Sequence, residues 1–229
     1  LPINRDTMSE VRLIQDDGTG AATAELQLCT AHWYGGNAGQ SCANTVESIS
    51  KLFGGLKIDG YYAIPMDEIP KLNHSVGGVT VTLLEDFQDI DRQMKKGETL
   101  ALSDEQAYHY IHDRYGVGDE KNTSRMKRQQ QYMEAFFTKA KEKAKSDKAY
   151  VSQLFRKFEQ TATTNLTAKK ISGLTNRLIK GTQKGFFEIQ GTSKIGKALG
   201  DGIDHAEFYP DKKSIIDVMT KIYGLKKRE

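Results

Sequence analysis

Apolar residues between about Thr123 and Lys145 recur at the spacing of a helix. Met126, Met133, Phe137, Ala140 and Ala144 follow at steps of seven, four, three and four, which puts them on one stripe. The opening turns of that helix are polar. Arg125, Arg128 and Gln129 stand at i, i+3 and i+4 and therefore share a face, with Gln129 on or beside the apolar stripe. A helix that turns two guanidiniums and an amide toward its own protein has to meet something polar there.

The same reading lays out the rest of the chain. Val11 to Ile14 reads as a short strand closed by the turn Asp16-Asp17-Gly18. Ala24 to Ala31 and Asn44 to Phe53 read as helices, the second with Val46, Ile49, Leu52 and Phe53 inward and Gly54-Gly55 as its stop. Tyr61 to Ile64 is strand-like, Met66 to Leu72 is a short helix containing Pro70, and Val79 to Leu83 alternates as a strand. Ser103 and Gln106 form a capping box for a helix running to about His112. After the long helix, Asp147 opens one with Val151, Leu154, Phe155 and Phe158 inward. Thr167 opens another with Ile171, Leu174 and Leu178 inward and Gly181 beyond its end. Phe186 to Ile189 is a late strand, and Asp211 to Tyr223 a last helix with Ile215, Met219 and Ile222 on one side. Strands separated by helices, with no internal repeat or composition break, predict one three-layer α/β domain over residues 1–229.

Composition narrows the partners. Of 229 residues, 38% are hydrophobic and 28% charged, and 33 basic against 30 acidic side chains leave a net charge of only +3. With no global basic field, helix-turn-helix or zinc pattern, a nucleic-acid-binding regulator is excluded and no nucleic-acid partner is expected. Basic residues cluster from Arg125 to Lys148 and at Lys226-Lys227-Arg228, which reads as a solvated face and a tail. No window has the roughly 20 apolar residues a membrane span needs, and no signal peptide is present. Leu1-Pro2-Ile3-Asn4-Arg5-Asp6 lacks an initiator methionine and reads like the end of a strand, so an upstream portion, possible anchor or export signal included, is expected. Cys29 and Cys42 read either as free thiols or, on an export route, as a disulfide closing the loop His32 to Gly39 and stabilising it by about 3 kcal/mol.

Four polar clusters remain once the core positions are set aside: Asn4-Arg5-Asp6, His109 to Arg114, Gly118-Asp119, and Arg125 with Arg128 and Gln129. Arg114 ends one helix and Arg125 opens the next, an arrangement suited to an anion clamp at a helix N-terminus. The alternative is a structural network in which Arg125 and Arg128 pair with Asp113, Asp119 or Glu120. A lone His112 reads as structural, and Asp6 as a turn residue, a base or a metal ligand. Gly-x-x-x-x-Gly-Lys-Ser/Thr, Gly-x-Ser-x-Gly and His-Glu-x-x-His are all missing, so P-loop, serine-nucleophile and zincin chemistry have no support.

In order along the chain, Asn4-Arg5-Asp6-Thr7-Met8, Ala31-His32-Trp33-Tyr34-Gly35-Gly36, Ile58-Asp59-Gly60-Tyr61-Tyr62 and Val76-Gly77-Gly78-Val79-Thr80-Val81 are followed by Gly97, Ala107, Arg114, Gly118-Asp119 and Ser124-Arg125-Met126-Lys127-Arg128-Gln129. This ordered set resembles the LytR-CpsA-Psr family of cell-wall glycopolymer ligases. The likeness covers about residues 1–140 well, and Glu207-Phe208-Tyr209 with the last helix more loosely.

The resemblance implies an α/β/α fold with a mixed central sheet, N-terminally incomplete here, and a long apolar pocket for a polyprenyl chain. It implies a membrane-anchored enzyme on the extracellular face of the cytoplasmic membrane, mainly of Gram-positive bacteria. Such a phosphotransferase moves a glycopolymer from a polyprenyl-pyrophosphate carrier to peptidoglycan with Mg2+ assisting; the alternative on the same fold is a non-catalytic module that binds the polyprenyl-phosphate or glycan carrier. By motif match Arg5, Arg114, Arg125 and Gln129 hold the pyrophosphate, with Arg128, His112, Asp119 and Asp6 as further contacts. Asn4 stands where the family has proline, and His112-x-Arg114 replaces an Arg-x-Arg pair. The family's magnesium-binding acids lie upstream of the Arg-Asp motif, in strands this chain does not contain.

Overall fold

A computed structural model describes residues 1–15, 17–20, 22–182 and 184–224. The elements run β1 (Met8–Leu13), β2 (Ala22–Gln27), α1 (Ala38–Leu52), β3 (Tyr62–Ala63), α2 (Ile69–Ser75), β4 (Thr80–Thr82) and β5 (Thr99–Ala101). They continue with α3 (Asp104–His112), α4 (Asn122–Ser146), α5 (Tyr150–Lys157), β6 (Thr163–Thr164), α6 (Ala168–Lys180), β7 (Gly191–Gly196), β8 (His205–Pro210) and α7 (Lys212–Tyr223). The class is α/β, in two compact units. One comprises Leu1–Tyr61, Thr163–Asn165 and the chain from Phe186; the other comprises Tyr62–Ala162 and Leu166–Gly185.

In the first unit β1 and β2 form an antiparallel hairpin, Met8 facing Gln27 and Leu13 facing Ala22. The expected helix over Ala24 to Ala31 is therefore a strand, followed by a 3-10 turn at Leu28–His32. Six cross-strand pairs override the helix preference of Ala, Glu, Leu and Gln, because pairing with a distant segment outweighs local propensity. Of the expected turn, Asp16 lies outside the described residues, as do Lys226, Lys227 and Arg228 of the basic tail. β7 and β8 form a second antiparallel pair, and Thr7 bridges Phe208 in parallel. The mixed sheet is thus assembled from short pieces. The late strand starts at Gly191, not Phe186, because the segment facing β8 begins there.

Val11, Leu26 and Ala31 centre this unit's core. α1 starts six residues ahead of its expected Asn44, at Ala38, where the Asn37 side chain accepts from the Gln40 N–H at 3.0 Å. Its fully buried residues are Ser41, Cys42, Asn44 and Ser48; Val46, Ile49, Leu52 and Phe53 are half-buried. The Asn44 amide donates to the Arg12 and Ala31 carbonyls, each at 2.9 Å, and to Tyr34 at 3.3 Å, so a polar residue does the fastening on that face. On α7 the buried pair is Val218 and Met219, while Ile222 is exposed.

Glu207 on β8 is buried and accepts from the Tyr209 hydroxyl at 2.7 Å and the Ala198 N–H at 2.9 Å. These bonds, the Tyr209 one foremost, hold its carboxyl below the usual glutamate range. A depressed carboxyl stabilises the folded state above its unfolded pKa, and that contribution disappears as pH falls through the lower folded value. The melting temperature is therefore expected to drop between about pH 5 and pH 3, with a shallower drop in Glu207→Gln. Identical slopes in thermal melts would remove Glu207 from the acid response.

The second unit is built on α4. Its buried residues are Arg128, Tyr132, Phe136, Ala140 and Ala144, at steps of four. The stripe read from the sequence is right at Ala140 and Ala144 but misplaced before them, and Phe137 is 42% exposed. Hydropathy ranks Met above Tyr and Arg, whereas here Tyr132 places its ring in the core and reaches Asn73 with its hydroxyl at 3.3 Å. Asn73 is fully buried: its amide donates to the Leu102 carbonyl at 3.1 Å and Asp104 Oδ1 at 2.9 Å, and its Oδ1 accepts from the Val79 N–H at 2.9 Å. One side chain thus joins α2, the approach to β4, the end of β5, the start of α3, and α4. The Ser103–Gln106 capping box forms as expected. On α5 only Phe158, just past its end, is fully buried, and on α6 Leu174 is exposed while Ile171 and Thr175 are buried.

Candidate functional site

α3 ends at Tyr110-Ile111-His112, and the last carbonyls of a helix have no partner within it. The first turns of α4 supply the missing donors. Arg128 Nη1 donates to the Tyr110 carbonyl, Gln129 Nε2 to Ile111 at 2.9 Å, Arg125 Nη1 to His112 at 3.3 Å, and Arg128 Nη2 to Asp113 at 2.6 Å. The i, i+3, i+4 face therefore caps a neighbouring helix, where the dipole favours positive charge.

Arg128 is the most deeply committed. Its side chain is 1% exposed, with Nε 2.7 Å from Glu85 Oε2. The guanidinium lies 4.9 Å over the Phe87 ring and 5.9 Å from the Tyr110 ring centre. Burial draws its pKa below the ordinary guanidinium value, and Glu85 is the main influence opposing that shift. Burial also pushes the Tyr110 hydroxyl up to about 12; that hydroxyl donates to Gln131 Oε1, and Gln131 Nε2 donates to the Thr82 carbonyl at 2.9 Å. Sequence reading named Asp113, Asp119 and Glu120 as network acids, but the acid on Arg128 is Glu85. Nothing in local spacing marks Glu85, since a strand and a turn far upstream deliver it. The one trace is Gly118: its φ is +55°, and a Cβ there would run into the Glu85 carboxylate.

Around this corner Asp113 takes two histidines, His109 Nδ1 at 2.7 Å from Oδ2 and His112 Nδ1 at 2.8 Å from Oδ1. His112 stacks on Tyr108, ring centres 4.8 Å apart. Asp119 accepts from the Ser124 side chain and the Lys121 N–H, which hold its carboxyl below the usual range. Arg114 donates to the Tyr115 hydroxyl and lies 4.4 Å over that exposed ring. Arg125 also donates to Asn122 Oδ1 at 2.8 Å. The corner thus brings Arg114, Arg125, Arg128, Gln129, His112 and Asp119 into one neighbourhood, with Arg128 and Gln129 facing inward and Arg114 held on an exposed aromatic ring.

Arg5 and Asp6 belong to the other unit. Arg5 Nε is 3.7 Å from Asp6 Oδ1, its Nη2 lies 3.6 Å from Cys29 Sγ, and its side chain is 52% exposed. Asn4 Oδ1 accepts from the Asp6 N–H at 3.0 Å. The residue in the family's proline position therefore fixes the turn by an Asx bond. Cys29 and Cys42 are free thiols in this structure, Cys42 buried, so the bridged alternative is not the state seen. No group of three or more His, Cys, Asp or Glu placed to hold a metal occurs among the described residues. The acids near the arginines are engaged as described, so these residues do not fit a magnesium site. No helix among the described residues is long and apolar enough to cross a membrane.

A mixed α/β fold with this arginine-bearing helix corner is shared with a set of solved proteins. B. subtilis TagV matches with a TM-score of 0.69 at 21% identity, covering 97% of this chain and 80% of that one. A protein described as a transcriptional regulator (EF0465) from Enterococcus faecalis gives 0.68 at 19%, with 99% and 77% covered. TagT bound to LIIa-WTA gives 0.67 at 20%, with 97% and 76% covered. No curated protein matches significantly. The chain belongs to the LytR_cpsA_psr family, whose profile matches residues 1–222.

Proposed function

We propose that this protein is a phosphotransferase of cell-wall assembly that moves a glycopolymer from a polyprenyl-pyrophosphate carrier onto peptidoglycan at the extracellular face of the cytoplasmic membrane. Family membership over residues 1–222 is the observation that carries this reading. The solved TagT with LIIa-WTA supports it.

The corner supplies the parts such a reaction needs. Phosphoryl transfer depends on positioning and on neutralising charge at the non-bridging oxygens. Arg114 and Arg125 take that role in the proposal, together with Arg5. Gln129 and Arg128 hold the end of α3 in place, so Arg128 acts as a positioning residue. His112, tied to Asp113 and Tyr108, stands two residues before Arg114 and sets its approach. Magnesium assistance is part of the proposal; the ion would bring further positive charge to the pyrophosphate, with protein ligands outside the described residues.

Arg114→Ala is expected to lower transfer from the carrier to peptidoglycan by about 100-fold, the scale for one charge-stabilising donor, with an unchanged melting temperature. Wild-type turnover in that variant would defeat the reading. Carrier binding without turnover by the wild type would point to a binding module instead.

A further inference from the structure

α6 carries more charge than its packing asks for. From Leu166 to Gly185 there are five basic residues and no acidic one. The buried residues of the helix are Ile171 and Thr175. Stepping round the helix from Ile171, the side chains of Lys169, Lys170, Arg177 and Lys180 fall within an arc of about 100° on the opposite side, spread along roughly 16 Å of axis. All four are exposed. At one end Lys141 of α4 donates to the Gly181 carbonyl and adds a cation beside the row.

Lys169 and Lys170 stand where a helix least favours them. The first turn presents unpaired N–H groups and the positive end of the dipole, which reward acids and penalise cations. α6 has no acid there, and only the Thr167 side chain caps it. A local choice that works against folding, repeated along one face, points to a use outside folding. The apolar residues Ile171 and Leu178 turn inward, leaving Leu174 at the margin of the row. The helix therefore has no apolar face left to sink into a bilayer.

We propose that this ridge binds a linear polyanion, a chain of repeating phosphodiesters lying along α6. The inference rests on the glycopolymer reading and gives that polymer a chemical class: phosphate-bearing, held by charge and not by base or sugar readout. A narrow cationic row suits a thread, which can follow it, better than a plane, which touches a helix along one line.

The test titrates a fluorescent linear polyphosphate against the whole chain and against K169Q/K170Q/R177Q/K180Q at several salt concentrations. The variant is expected to bind at least about tenfold more weakly at low salt, with a log–log salt slope shallower by about 3 for four lost contacts. K169R/K170R/K180R keeps the charge and is expected to bind like the wild type, which separates charge from folding. Equal affinity in the glutamine variant with its helicity intact would overturn the proposal. So would equal binding of neutral dextran, or tighter capture of phosphatidylglycerol vesicles than of polyphosphate through the same residues. The assay contains neither lipid carrier nor peptidoglycan, so its failure leaves the transfer reading standing, and failed transfer leaves this site standing.

Discussion

Replacing Arg128 by methionine is expected to destabilise the unit around α4 by about 3–5 kcal/mol, the scale for breaking a buried ion pair on one side. The methionine fills much of the volume but leaves the Glu85 carboxylate facing an apolar ring, and it strips donors from the Tyr110 and Asp113 carbonyls. Urea denaturation of the variant measures the loss. The double variant Arg128→Met/Glu85→Gln is expected to recover part of it, because the stranded charge is removed. A single variant within about 0.5 kcal/mol of the wild type, the range of surface substitutions, would show that the pair does not hold the unit together.

Asn73→Leu is expected to cost about 3 kcal/mol in the same unit. Leucine is close in shape and more apolar, so transfer energy alone predicts a gain. Three buried groups lose their partner: the Val79 N–H, the Leu102 carbonyl and the Tyr132 hydroxyl. Each such loss carries a penalty of about 1–3 kcal/mol, which outweighs the gain from leucine's apolar surface. Amide hydrogen exchange at Val79 gives a local readout, with faster exchange expected than the global destabilisation alone produces. Wild-type stability with unchanged protection would mean that water replaces the amide.

Local signals gave the helices well. The Ser103–Gln106 box fixed the start of α3, and the periodic run fixed most of α4. Misreadings fell where the deciding partner is remote. β2 is a strand because β1 pairs with it, and its own alanines, leucine and glutamate argue for helix. The start of α1 turns on one Asn37 cap and on a polar face fastened by Asn44, which apolar periodicity cannot see. At the site, the shared face of Arg125, Arg128 and Gln129 was legible from spacing. Its division of labour was not, because Glu85 and the α3 carbonyls reach it only through tertiary structure.

The corner between α3 and α4 also constrains how this protein can be rebuilt. Segment 124–129 does not work as a portable cassette: moved to another scaffold without Glu85 and Phe87, it would insert an orphan cation into the new interior. Gly118 has to travel with them, since any side chain at that position would push against the acid that keeps Arg128 neutralised. Chimeras that swap the stretch from Glu85 to Gln129 as one block should fold, whereas those that cut between the two should not.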